Sequence, residues 1–145
     1  MRGLSKESER QLVEMIGKVS LFSGLKEKQL KAIANAGKEL AYADGRLIVK
    51  EGDMGVGFYL ILDGKVEVRK GEKVLSKLGA SQFFGEMSLV DKEPRSADVV
   101  ATAPTRCYVL TAWAFSALVK SHPEIALNMM HELVARLRKT DKFTG

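Results

Sequence analysis

The chain of 145 residues has one cysteine, so no internal disulfide can form and a reducing compartment suits it. That residue, Cys107, stands in the apolar run Cys107-Tyr108-Val109-Leu110 and reads as a buried structural thiol rather than a reactive one. No stretch approaches the ~20 apolar residues of a membrane helix. The charged start, with Lys6, Glu7, Glu9 and Arg10, does not read as a signal peptide. A cytoplasmic protein without a membrane partner is therefore expected. Histidine is also scarce: His122 and His131 both fall in the C-terminal tail. A metal site of histidines and carboxylates inside a barrel, and a nucleophile paired with a base, both lack their residues. The expectation is no metal, no cofactor and no enzyme.

What is present is ordinary for one globular domain spanning 1–145. Hydrophobic residues make up 46% and charged residues 28%. A chain of this length buries about two-thirds of its unfolded surface. The net charge of +5 is spread along the chain. Its densest cluster, Arg136, Arg138, Lys139 and Lys142, reads as a solvated helix face ahead of a nucleic-acid or membrane patch.

The pattern runs helix, many short strands, helix. Leu12, Met15, Ile16 and Val19 have the spacing of an amphipathic helix, with Ser8 and Gln11 fitting a capping box at its start. A second helix is expected over Lys26–Ala36, with Leu30, Ile33 and Ala34 inward and Gly37 as the left-handed residue that ends it. From 38 to 111, turn signals such as Asp44-Gly45, Gly52-Asp53, Asp63-Gly64 and Gly71 separate runs of β-formers. Leu47–Val49, Phe58–Leu62, Val66–Val68 and Val74–Leu78 are the predicted strands, and the continuous apolar run Phe58–Leu62 suits burial on both faces. Over 112–141 the chain is helical again. A short piece carries Trp113, Phe115 and Leu118, and Pro123 opens a long helix. The fold class is mainly β with flanking α: a jelly-roll-like β-roll with N-terminal helices over 1–37 and a long C-terminal helix.

Chemistry concentrates in 83–97. Gly85 permits a sharp turn and a close approach to a ligand. Residues 86–90 are long enough for one helical turn, whose first amides, on Met87 and Ser88, are open to an anion. Arg95 brings a planar charged fork for two phosphate oxygens, Ser96 a hydroxyl, and Ala97 an amide with little bulk. Glu86 repels a phosphate but accepts a hydrogen bond from a neighbouring hydroxyl, such as a ribose 2′-OH. An anion clamp beside a hydroxyl acceptor points to a ribonucleotide. A singly charged cyclic phosphate fits better than a polyphosphate, because no Walker-type loop or Mg²⁺ ligand set is present.

Phe84-Gly85-Glu86-Met87-Ser88-Leu89 followed by Pro94-Arg95-Ser96-Ala97 resembles the phosphate-binding cassette of the cyclic-nucleotide-binding domain family. The resemblance extends through Leu21-Phe22 to Leu25 and through Ile48-Val49-Lys50-Glu51-Gly52-Asp53 to Val68. It implies that Glu86 accepts the ribose hydroxyl and that Arg95 pairs with the cyclic phosphate. Ser96 and the amides of Gly85, Met87 and Ala97 complete the cradle, with Ser88 beside them. Within the family, serine after the cassette arginine resembles the bacterial catabolite activator, which implies cyclic AMP over cyclic GMP. The same alignment places Thr140 against the base.

Ala126, Met130, Leu133 and Leu137 form a short a/d seam on the long helix, and Ile125, Met129 and Val134 form a second strip. One strip packs within the domain and the other is available for a homodimer, or both are buried. The reading is a sensor whose C-terminal helix passes ligand binding to an unidentified downstream protein. Two alternatives stay open: an interaction domain that keeps the fold without binding, and the ligand-binding part of a transcription factor lacking its DNA-binding domain. This chain alone has no helix-turn-helix and is not expected to bind DNA.

Overall fold

Short strands between Lys38 and Thr111 pair into two four-stranded antiparallel sheets. A computed structural model describes residues 4–55, 57–91 and 93–141. The strands are β1 (Lys38–Tyr42), β2 (Leu47–Val49), β3 (Gly57–Asp63), β4 (Lys65–Lys70), β5 (Lys73–Gly79), β6 (Phe83–Phe84), β7 (Asp98–Ala101) and β8 (Thr105–Thr111). One sheet has the order β1-β8-β3-β6 and the other β2-β7-β4-β5. This is the β-roll expected from the turn spacing.

Burial explains the register. From Phe58 to Ile61 every side chain of β3 is buried, and β8 is buried from Cys107 to Leu110, so these two strands form the spine. Tyr59, Ile61, Val66, Phe84, Val99, Cys107 and Val109 make one interior cluster drawn from both sheets. The edge strands β1 and β5 are largely exposed. Gly37 precedes β1, but its backbone is not left-handed. Its lack of a side chain serves space instead, since a Cβ there would overlap the ring of the fully buried Tyr108.

The chain also divides into two compact units, the roll of Gly37–Phe115 and a helical unit formed by the residues up to Ala36 and from Ser116 onward. In the helical unit, α1 (Lys6–Gly17) starts earlier than the predicted capping box. Ser5 is its N-cap and accepts from the Ser8 amide at 3.1 Å. Leu12 and Ile16 are buried as their spacing requires, while Val19 is buried beyond the end of the helix, on extended backbone. A 3-10 turn (Ser20–Phe22) leads to α2 (Glu27–Ala36), which buries Ile33 and Ala34. A short helix, α3 (Ala112–Ser121), buries Phe115 and Leu118, whereas Trp113 is 67% exposed and belongs to neither core.

The last helix, α4 (Pro123–Asp141), begins at the predicted proline. Asn128 on α4 donates to the Leu21 carbonyl at 2.9 Å and fills the space that Gly24 leaves open. Ile125 and Met129 are buried, while Leu127, Met130, Val134 and Leu137 are between 48 and 60% exposed. The apolar strips of α4 therefore separate differently from the sequence expectation. Val134 joins Met130 and Leu137 in solvent, Leu127 completes that set, and Ala126 and Leu133 are half-buried. Arg136 reaches the Ser20 hydroxyl in an exposed hydrogen bond, Arg138 and Lys139 are exposed, and Lys142 lies outside the described residues. Among the described residues no helix is long and apolar enough to cross a membrane.

Candidate ligand-binding site

The stretch from Phe83 to Ala97 leaves β6, makes one turn of 3-10 helix (Glu86–Leu89) and returns to β7. Gly85 caps that turn with φ at +80° and ψ at 14°, a left-handed conformation suited to glycine. A Cβ on Gly85 would lie 2.5 Å from Arg95 Nη1 and 2.7 Å from the Gly57 carbonyl oxygen. The glycine thus serves both the turn and the close approach of a guanidinium.

Backbone pairing pins Arg95. Its amide donates to the Asp53 carbonyl at 2.7 Å, its carbonyl accepts from the Gly52 amide at 2.9 Å, and Met54 and Pro94 form an isolated antiparallel bridge. The Asp98 carboxylate accepts from the Glu51 amide at 2.6 Å and ties the same loop to β7. Gly55 brings this loop against the cassette, since a Cβ there would overlap Ser88.

The side chain of Arg95 is half-buried. Nη2 donates to the Gly57 carbonyl at 2.7 Å, while Nε is buried without a hydrogen-bond partner among the described residues. Among the described residues no carboxylate forms an ion pair with it. Burial pushes the guanidinium pKa down from its ordinary value, yet arginine starts so high that the group stays charged. A desolvated cation with an unfilled donor is a site for an anion.

A cavity of about 310 Å³ opens in front of this group. Gly85, Glu86, Met87, Ser88, Arg95, Ser96 and Ala97 all line it, with Val49, Val68 and Val99 as an apolar wall and Asp91 and Glu93 also on its surface. Seven of the eight predicted site residues are therefore brought together. Thr140 is on α4, where its hydroxyl donates to the Arg136 carbonyl at 3.0 Å, and the cavity lining is drawn from residues between Val49 and Val99. One expectation needs correcting: the Ser88 amide is taken by the Gly85 carbonyl at 3.0 Å, because the turn is 3-10 and closes one residue earlier than an α-turn. Ser88 faces the cavity but offers no open amide. Sequence reasoning passed over Gly55, Gly57 and Tyr59. The only signal for the first two was their spacing in Met54-Gly55-Val56-Gly57, and Tyr59 read simply as core.

Comparison with known proteins agrees with this geometry. A family model described as cyclic nucleotide-binding domain matches residues 39–122. The "Cyclic AMP receptor protein" of Thermus thermophilus is 34% identical over 83% of this chain, which spans 58% of that protein. The "cGMP-dependent protein kinase" of Plasmodium berghei is 40% identical over 61% of this chain and only 10% of its own length. The crystal structure of the N-terminal domain of a transcriptional regulator from Streptomyces coelicolor A3(2) is similar at a TM-score of 0.83 and 28% identity, covering 88% of this chain and 93% of that one.

Proposed function

The chain belongs to the cyclic nucleotide-binding domain family, and from that premise we propose that it is a sensor preferring cyclic AMP to cyclic GMP. The observation that carries the reading is Arg95, a charged group half-buried on a 310 Å³ cavity with its Nε unsatisfied. The cyclic phosphate takes the fork of Arg95, with the Ser96 hydroxyl and the amides of Gly85, Met87 and Ala97 around it. Glu86 accepts the ribose 2′-OH. Among the described residues the cavity lining offers one arginine and the carboxylates of Glu86, Asp91 and Glu93. Such a balance favours a ligand with a single negative charge and hydroxyl donors over a polyphosphate. The names of the relatives point to both nucleotides, so the preference rests on Ser96, which follows the arginine.

The output is regulatory rather than catalytic and passes through α4. The ligand shifts that helix only by its differential affinity for two conformations. Leu127, Met130, Val134 and Leu137 follow spacings of three, four and three, an a/d stripe. A second copy of the chain covers it in a parallel homodimer. A second reading, the ligand-binding part of a transcription factor, is favoured by the likeness to the Streptomyces domain. Any DNA-reading segment would then lie outside these 145 residues.

Thermal unfolding with each nucleotide tests the proposal. At 100 times its Kd a ligand adds about 2.7 kcal/mol, a rise in Tm of roughly 5 °C or more. The rise is expected with cyclic AMP and not with Arg95→Ala. A folded, ligand-free protein that responds to neither nucleotide is an interaction domain, not a sensor.

A further inference from the structure

Arg95 stands between two cavities, the one described and a second of about 360 Å³ that it lines together with Tyr59 and Met54. Beyond the backbones of Gly55 and Gly85, the two cavities leave part of the side chain without packing. Among the described residues its side chain meets the Gly57 carbonyl and the ring of Tyr59, whose centroid is 5.7 Å from Cζ. The ring is itself immobilised: Tyr59 is 7% exposed and stacks on Phe84, centroids 4.8 Å apart and planes within 4°. The two aromatics face each other in register across β3 and β6, and β6 runs directly into Gly85.

Building on the anion-binding reading of the cassette, we propose that Tyr59, backed by Phe84, is the positioning residue that aims Arg95 at the ligand through its π face. A carboxylate in that place would also orient the guanidinium, but it would compete with the phosphate for the same donors. An aromatic face attracts the cation while leaving its charge and its outer N–H groups available. Burial raises the Tyr59 hydroxyl above its ordinary pKa, so the ring faces the cation as a neutral phenol. The stack also links the cation to the turn: Phe84 sits at the start of the cassette and Arg95 on its returning arm.

The test reads cyclic AMP affinity by titration calorimetry in Tyr59→Phe, in Tyr59→Phe carrying one, two or three ring fluorines, and in Tyr59→Leu. Cation–π pairs contribute from about 0.5 to about 2 kcal/mol. Tyr59→Phe should bind within about twofold of wild type, and affinity should fall stepwise as fluorine drains the ring face at nearly constant volume. Tyr59→Leu should lose about tenfold, and none of these losses should persist in an Arg95→Ala background. A flat fluorine series, or a loss that persists without Arg95, assigns Tyr59 to packing and overturns the inference. If Tyr59→Leu fails to fold, the fluorine series decides alone. Absence of wild-type binding overturns the ligand reading, and this inference with it.

Discussion

In the cassette, Arg95 keeps a charge half-buried where its Nε meets no acceptor, whereas α4 keeps four large apolar side chains in water. Each region is well determined around the misplaced group. Arg95 is held by backbone pairing and a carbonyl, and α4 by Ile125, Met129 and the Asn128 bond to Leu21. The departure from solvent preference is therefore local and chemical in kind. A half-buried cation without a counter-ion among the described residues calls for a small anion, and an exposed a/d stripe calls for another apolar surface. The two regions differ in what completes them.

Removing the cation should break the first half of that contrast most strongly. Truncating one partner of a buried charge pair costs from about 2 to 5 kcal/mol, so Arg95→Ala should weaken cyclic AMP binding at least about 30-fold. The ligand-free protein should keep its Tm or gain slightly, because a desolvated, unpaired charge leaves with the side chain. Calorimetric titration beside thermal unfolding checks both. A variant that binds normally would move the anion site elsewhere. The second half breaks at the stripe. In a two-fold dimer each position counts twice, and losing ~1.5 kcal/mol of burial per protomer at Met130→Glu weakens association on the order of 100-fold. Sedimentation equilibrium should show wild-type dimers and monomeric Met130→Glu; equal masses would leave the stripe without that role.

A third substitution separates space from ligand. Gly37→Ala forces a methyl into the ring of Tyr108 and should cost about 1–3 kcal/mol of stability with nucleotide affinity unchanged. Urea unfolding measures it, and an unchanged midpoint would mean that the ring yields. Glu86→Gln acts on the ligand alone. Exchanging a charge-assisted acceptor for a neutral one should cost about five- to tenfold in affinity. Preference over the 2′-deoxy nucleotide should shrink with it. An undiminished preference would remove Glu86 from the ribose.

What could be read from the sequence followed locality. The cassette was legible because its residues lie within fifteen positions of one another and turn chemistry orders them. Strand β3 was legible because burial on both faces makes it continuously apolar. Tyr59 was not, since its role depends on Phe84 and Arg95, which register and a return loop bring to it. Strand β1, Lys38-Glu39-Leu40-Ala41-Tyr42, gave no signal because an exposed edge strand imposes little on side chains. Gly37 had two sound explanations, left-handed backbone or missing bulk, and only its contact with Tyr108 chooses between them. The strips of α4 share the same period, so spacing identified apolar faces without telling which one meets the core.

The roll interior supplies the case between these two, a titratable group in the wrong solvent that needs no partner because it stays neutral. Cys107 is fully buried, and burial pushes its thiol from 9.0 up to about 11. The folded chain then holds a proton that the unfolded chain has already released, so stability is complete below about pH 9 and falls as pH rises toward 11. Tyr42, raised from 10.0 to about 12 mainly by burial, prolongs the fall. Urea midpoints between pH 8 and 11 should therefore decline in the wild type. In Cys107→Ala the midpoint should start lower, because a cavity is left, and decline less steeply over the thiol range. Parallel curves for the two proteins would mean that the thiol does not titrate on unfolding, and the loss would then belong to the tyrosines. A neutral buried thiol changes stability only when pH is raised, whereas the charge on Arg95 and the stripe on α4 leave their regions incomplete at every pH.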